Sequence, residues 1–235
     1  MSAKYSSRTK LLISALAALL VSTWGCAGAM QSNWGRKLAF WNKEDVDPRG
    51  ALAPYKIVAK LREERETLPS MPPDQQQAKA AELATQYQNE SDPLVRAEIV
   101  RTISVCGAPQ AGTTLTAALQ DADRDVRLAA CDAWGVHGGP QAVSSLSNLL
   151  RHDRSMDVRL AAARALGQLK GPEVVQALAP GLEDPDPAMQ YRIVQSLRES
   201  TGKDFGDNVN AWNEFVRGGS PPEISASERL KLKYF

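Results

Sequence analysis

The chain has 235 residues, of which 43% are hydrophobic and 6% aromatic, and its formal net charge is +1. This composition is ordinary for a soluble globular protein, and its many Ala and Leu residues favour packed helices over a β-sandwich. Residues 1–25 hold three basic residues and no acid, which leaves 25 basic and 27 acidic residues in the rest. A body of net charge −2 offers no electrostatic case for binding nucleic acid.

The first residues follow the order of a secretory signal. A basic stretch, MSAKYSSRTK, precedes an apolar run at 11–21 and then the small residues of STWGCAGAM. The apolar run is shorter than the roughly 20 residues that span a bilayer. Residues 1–25 are therefore predicted to be an export signal peptide.

Cys26 follows a small residue at the end of this leader. The stretch TWGC at 23–26 resembles the lipobox of bacterial lipoproteins, although its first two letters depart from the usual Leu and small residue. The resemblance implies that Cys26 becomes the lipidated first residue and anchors the protein to a cell membrane, with each buried CH₂ contributing about 0.8 kcal/mol. The alternative is cleavage after Ala29, at an A-x-A site, which would give a soluble periplasmic or secreted protein. Residues 26–52 are predicted to form a mostly irregular tether.

An internal repeat dominates the middle of the chain. The letters DVRLAA occur at 125–130 and again at 157–162, 32 residues later. Related residue pairs recur at spacings of 31, 32 and 31: Val95-Arg96, Val126-Arg127, Val158-Arg159 and Met189-Gln190. A constant period between about 20 and 50 residues is typical of a stacked repeat architecture, in which each unit buries its apolar face against its neighbours.

Each unit is predicted to be a helix, a turn and a second helix. Prolines precede or open the first helices: Pro73, Pro109, Pro140 and Pro172. The second helices have N-cap residues at equivalent positions: Asp92, Asp123, Ser155 and Asp186. Gly135 and Gly167 are expected to end two of the second helices. The period and the patterning together predict an all-α solenoid of about four helix pairs.

The pattern D-x-D/S-x-x-V-R-x-x-A-x-x-A-L-G resembles HEAT repeats, especially the short bacterial type also found in phycobilin lyases. The resemblance covers 73–200 in four units: 73–107, 108–138, 139–170 and 171–200. It implies a right-handed solenoid and a structural polar ladder of turn Asp and helix Arg residues. The positions that match or replace that ladder are Asp92 with Arg96, Asp123 with Arg127, Ser155 with Arg159, and Asp186 with Gln190. Because Gln190 replaces the Arg, the ladder is expected to stop at the fourth repeat.

Both ends of the array need a cap, because a terminal repeat would otherwise expose its apolar face. Residues 53–72 predict an amphipathic capping helix. In 201–219, the side chains of Phe205, Trp212 and Phe215 are expected to form a C-terminal cap; the alternative is an aromatic patch that binds a partner. The tail at 220–235 is either disordered or in contact with a membrane or a protein, and its candidate contacts are Lys231, Lys233, Tyr234 and Phe235.

Residues that could carry chemistry are few. His137 and His152 are predicted to be surface residues, and neither has neighbours that suggest a metal site. The spacing of Cys106 and Cys131 predicts two buried thiols and no disulfide. The chain has no His-Glu dipeptide, which excludes the HEAT-like di-iron hydroxylases. We therefore expect no cofactor, no metal and no catalysis.

The best candidate for a functional surface is the row of outward polar positions on the second helices: Glu98, Arg101, Asp132, Arg164, Arg192 and Gln195. Such a row lines the inner curve of a solenoid, where it either binds a partner or is simply solvated. The leading hypothesis is a membrane-anchored, non-catalytic scaffold that binds protein partners at the bacterial cell envelope. Two alternatives stay open: a phycobilin-lyase-like enzyme or cofactor-handling accessory protein, and a subunit of a larger envelope complex.

Overall fold

The computed structural model describes residues 53–225, and this part of the chain is helical with no strand. The predicted signal peptide and tether lie outside the described residues. Within 53–225 there are ten α-helices: α1 Pro54–Thr67, α2 Pro73–Asn89, α3 Pro93–Ile103, α4 Pro109–Ala118, α5 Arg124–His137, α6 Pro140–His152, α7 Met156–Gln168, α8 Pro172–Leu178, α9 Pro187–Thr201 and α10 Val209–Val216. Short 3₁₀ segments follow α1 at Leu68–Ser70 and α8 at Ala179–Glu183.

The helices form two layers, which confirms the predicted all-α solenoid. The second helices α3, α5, α7 and α9 stack on one another in chain order, and α1 extends this layer by packing against α3. Each first helix packs against the second helix of its own pair, giving the pairs α2–α3, α4–α5, α6–α7 and α8–α9. Neighbouring copies thus bury apolar faces that a single helix pair would leave in water.

The repeated letters DVRLAA mark the packing positions of the second helices. Val126 and Ala130 on α5 are fully buried, and so are Val158 and Ala162 on α7. They belong to one apolar core that runs through all the helix pairs. The small Ala side chains allow adjacent helices to lie close together, so the same packing task is met by the same residues in each unit.

Most of the predicted helix starts are present. The Oδ1 atom of Asp92 accepts the backbone N–H of Leu94 at 2.8 Å, and the carboxylates of Asp123 and Asp186 cap α5 and α9 in the same way. Ser155 occupies the corresponding position before α7, but its side chain makes no capping hydrogen bond. The expectation of a side-chain cap at Ser155 is therefore wrong.

The two glycines that were expected to end helices lie inside them. α5 continues past Gly135 to His137, and α7 continues past Gly167 to Gln168. A Cβ atom on Gly167 would lie 2.9 Å from the Cα atom of Ser196, so this glycine allows α7 and α9 to approach closely. The prediction was wrong because a helix end and a tight helix–helix contact both favour glycine.

Aromatic residues close the C-terminal end of the stack. α10 packs against α9 and against the 3₁₀ segment Ala179–Glu183. Phe205 and Trp212 are buried, with ring centroids 4.8 Å apart, and Phe215 packs against both. The indole N–H of Trp212 donates to the carbonyl of Gly206 at 2.9 Å. Because two of these rings are buried and the half-buried Phe215 packs against them, they do not form the exposed aromatic patch of the alternative hypothesis.

The chain continues along this end after α10. Pro221 is buried, and the backbone N–H of Ile224 donates to the carbonyl of Asp204 at 3.0 Å. Lys203 and Glu223 form an ion pair at 2.7 Å. The start of the predicted tail is thus held against the C-terminal cap. The four candidate contact residues of the tail lie outside the described residues: Lys231, Lys233, Tyr234 and Phe235.

Candidate binding surface

An acidic residue closes the turn inside each repeat. It lies two residues before the N-cap of the second helix, and its carboxylate accepts the backbone N–H of that N-cap residue. Its backbone carbonyl accepts a hydrogen bond from a side chain six residues later. The four pairs are Glu90 with Arg96, Asp121 with Arg127, Asp153 with Arg159, and Asp184 with Gln190. Gln190 therefore preserves the turn contact without the charge.

The same acids link neighbouring repeats, which corrects the predicted ladder. Arg96 binds Asp121 through two hydrogen bonds of 2.9 Å, and Arg127 binds Asp153 through bonds of 2.8 and 3.3 Å. The ladder was expected to use the N-cap residues Asp92 and Asp123. Those carboxylates instead accept the free N–H groups at the helix starts and are not available to the arginines.

The ladder ends after two ion pairs. Arg159 donates to the carbonyl of Asp153 and contacts the sulfur of Met156. Between residues 53 and 225 it forms no salt bridge, although Asp184 occupies the position equivalent to Asp121 and Asp153. The ion pairs thus connect the first three repeats and stop before the fourth.

Asp121 accepts the largest number of these bonds. Burial alone would raise the pKa of the Asp121 carboxyl, but hydrogen bonds from Arg96, from the Asp123 backbone and from Tyr87 outweigh it and hold that pKa below its usual value. Burial and the bond to this carboxylate raise the pKa of Tyr87. Both groups therefore remain in the protonation states that hold the first two repeats together.

The outward side of the layer formed by α3, α5, α7 and α9 is called the second-helix face here. A second set of ion pairs lies on this face between α5 and α7. Arg164 binds Asp132 at 2.6 Å and Arg124 binds Asp157 at 2.9 Å, each joining α5 to α7. These side chains are about half exposed. Pairs of this kind contribute little to stability, but they neutralise the charges on this part of the face.

Glu98 does not belong to the exposed row in which it was predicted. It is 2% exposed, and its carboxylate lies 2.5 Å from Arg65, 3.6 Å from Arg62 and 3.4 Å from Arg101. Both Arg62 and Arg65 are on α1. Because α1 takes the place that a preceding second helix would have, it covers the position of Glu98 and pairs its charge.

The other predicted residues divide between a pocket and its surroundings. A pocket of about 620 Å³ is lined by residues from all four second helices, so the second-helix face is concave here. Four residues of the predicted row line it: Arg101, Asp132, Arg164 and Arg192. Gln195 is on α9 outside this lining, and its side chain accepts a hydrogen bond from Arg198 at 2.7 Å.

The pocket also contains apolar side chains that the prediction missed. Leu128, Leu160 and Tyr191 occupy equivalent positions on α5, α7 and α9, and each lines the pocket. Tyr191 is 55% exposed, and Leu128 and Leu160 are half-buried. The period of 31 and 32 residues could have identified these three positions as one row. Their exposure depends on the stacking of the helices.

Within 53–225, the histidines and cysteines form no second site. His152 is exposed as predicted, whereas His137 is half-buried, with its Nδ1 atom 3.3 Å from the carbonyl oxygen of Ser104. Among the described residues no cluster of His, Cys, Asp or Glu could hold a metal ion. Cys106 and Cys131 are free and buried, and burial raises the pKa of both thiols, to about 12 for Cys131. Such thiols remain protonated and are poor nucleophiles.

Comparison with known families agrees with this architecture. A family model described as HEAT repeats matches residues 80–156 and 143–208, which together span more than half of the chain. No curated protein matches the sequence. In the part of the chain from 53 to 225, no helix is both long and apolar enough to cross a membrane.

Proposed function

Because the chain belongs to the HEAT-repeat family, we propose that it is a non-catalytic scaffold that binds a partner protein through its second-helix face. The pocket on this face carries the proposal, since it combines the exposed Tyr191 and the half-buried Leu128 and Leu160 with arginines on a surface shared by four stacked helices. Stacked repeats commonly use such extended concave surfaces for binding. The buried, protonated thiols of Cys106 and Cys131 fit a binding role better than covalent chemistry.

The proposal includes a place in the cell. We propose that the chain is exported and that lipidation of Cys26 anchors it to a membrane of the bacterial envelope. The leader at 1–25 and the small residue before Cys26 support this part of the proposal. The tether at 26–52 would then connect the repeats to the membrane surface.

The anchor is tested by the intact mass of the mature protein isolated from membranes, beside a Cys26→Ala variant. The expected mass begins at Cys26 and includes acyl chains, and the variant loses both the added mass and retention by the membrane. A mature mass that begins at Met30 without lipid would contradict the anchor and leave a soluble exported protein.

The binding face is tested by photo-crosslinking in cells that express the full chain. A photoreactive residue replaces Tyr191 in the pocket, or Ser144 on the exposed side of α6 as the matched control. The expected result is a defined crosslinked partner from position 191 that is absent at position 144 and is lost when Leu160→Glu is added. Equal products from both positions would contradict a binding role for the second-helix face.

A further inference from the structure

We propose that the pocket binds a short segment of the partner in which acidic residues flank a row of apolar side chains. This inference rests on the proposed function and specifies the chemistry of its ligand. Three observations support it. They are the spacing of the apolar row formed by Leu128, Leu160 and Tyr191, the arginines at the two ends of the pocket that can still bind a carboxylate, and the neutralisation of the pocket's acids by other arginines.

The apolar row fixes a repeat distance for the ligand. Leu128, Leu160 and Tyr191 come from three successive stacked helices. Packed helices lie about 8–10 Å apart. A chain in the polyproline II conformation rises about 3.1 Å per residue with three residues per turn, so every third side chain returns to the same side after about 9 Å. A segment with apolar residues three positions apart therefore matches the row.

The free charge on the pocket is positive and lies on its two outer helices. The side chain of Arg192 on α9 makes no hydrogen bond or ion pair with any residue from 53 to 225. On α3, the guanidinium of Arg101 makes a single hydrogen bond of 3.4 Å, to Glu98, whose carboxylate already accepts a hydrogen bond from Arg65 at 2.5 Å. Both guanidinium groups can therefore still bind a carboxylate through two parallel hydrogen bonds.

The acids of the pocket do not compete for these arginines. Asp132 is bound to Arg164 at 2.6 Å, and Asp157 is bound to Arg124 at 2.9 Å. Their charges are neutralised within the middle of the face, beside the apolar row. The charge that remains for a ligand is thus that of Arg101 and Arg192, one near each end of the pocket.

These features define the probe. Three helix spacings of about 8–10 Å, shortened by the concave surface, correspond to a peptide of about eight or nine residues in this conformation. The test probe is a fluorescein-labelled peptide of about nine residues with Glu at both ends and Leu at three positions spaced three apart. A matched probe carries Lys in place of each Glu.

Fluorescence anisotropy with the full chain measures the binding of both probes. We expect the Glu probe to bind and the Lys probe to bind at least about tenfold more weakly. Arg192→Gln should weaken binding of the Glu probe by about tenfold or more, because a charge-assisted hydrogen bond is lost. Arg217→Gln is the matched control, since this arginine is 72% exposed and pairs with Glu183 outside the pocket; it should leave binding unchanged.

Equal binding of both probes would overturn the inference, and so would binding of the Glu probe that Arg192→Gln does not weaken. A crosslink from position 191 that joins two copies of this chain would also overturn it. If the probes fail while position 191 still captures a different protein in a Leu160-dependent manner, the ligand chemistry is wrong and the scaffold function stands. Loss of the crosslink as well would overturn both.

Discussion

Asp153→Ala is expected to lower the free energy of unfolding by about 3–5 kcal/mol, because it leaves a buried charge without a partner. The Arg127 side chain is only 6% exposed, and both of its hydrogen bonds to another side chain go to the Asp153 carboxylate. The substitution also removes the acceptor for the backbone N–H of Ser155. Since small domains are stable by about 5–15 kcal/mol, this change removes a large part of the total.

Asp184→Ala provides the matched control in urea unfolding. Asp184 occupies the same turn position and accepts the backbone N–H of Asp186 at 2.9 Å. It has no arginine partner among the described residues, so its loss should cost only about 1 kcal/mol. If both substitutions lowered the free energy of unfolding equally, the hydrogen bond within the turn, and not the ion pair between repeats, would account for the loss.

A double variant separates two costs of Asp153→Ala: the unpaired charge left on Arg127, and the loss of the hydrogen bonds that Asp153 accepted. Adding Arg127→Met to Asp153→Ala removes the unpaired guanidinium and fills its space with an apolar side chain. The double variant should therefore be more stable than Asp153→Ala alone, which is the non-additivity expected for residues in direct contact. A double variant less stable than Asp153→Ala would mean that Arg127 stabilises the turn mainly through the carbonyls of Asp121 and Ala122.

The helix pairs could be predicted from the sequence because their signals are local. Prolines at helix starts and the cap residues Asp92, Asp123 and Asp186 act within one turn, and the period of 31 or 32 residues reports stacking directly. The ladder acids also follow this period, at Asp121, Asp153 and Asp184. Alignment of the turns could have identified them. The ladder was assigned instead to the N-cap acids, which lie two residues later and follow the same period.

Other features depend on contacts between distant parts of the chain. The charge of Glu98 suggests an exposed residue, but α1 packs over it and Arg65 pairs its carboxylate. Gly167 resembles a helix end, and only the close approach of Ser196 reveals its role. The charge of Arg192 is likewise unpaired within 53–225 because no acid on a neighbouring helix lies close enough to bind it, whereas Arg124 and Arg164 each bind an acid on a neighbouring helix. Position along a helix can be read from a sequence, whereas pairing across helices cannot.

Trp212→Ala is expected to destabilise the C-terminal end by about 3–5 kcal/mol, the cost of removing a buried aromatic side chain. Trp212 is fully buried, packs edge-on against Phe205 and Phe215, and donates to the Gly206 carbonyl. Its loss leaves a cavity where α10 covers the last repeat. Because each repeat of a solenoid contacts only its neighbours, the damage should be greatest in α9 and weak in α3.

Hydrogen exchange of the backbone amides measures this gradient, and Trp212→Phe is the matched control. Phe keeps a ring against Phe205 and loses the indole hydrogen bond, so it should cost about 1–2 kcal/mol.

Tyr191 and Arg192 are on α9, so loosening of this helix by Trp212→Ala should also weaken binding of the acidic peptide probe. If exchange increased uniformly along the stack and peptide binding did not change, both the local role of the cap and the location of the binding site on α9 would be contradicted. Faster exchange in α9 together with weaker peptide binding would show that the C-terminal cap supports the binding face.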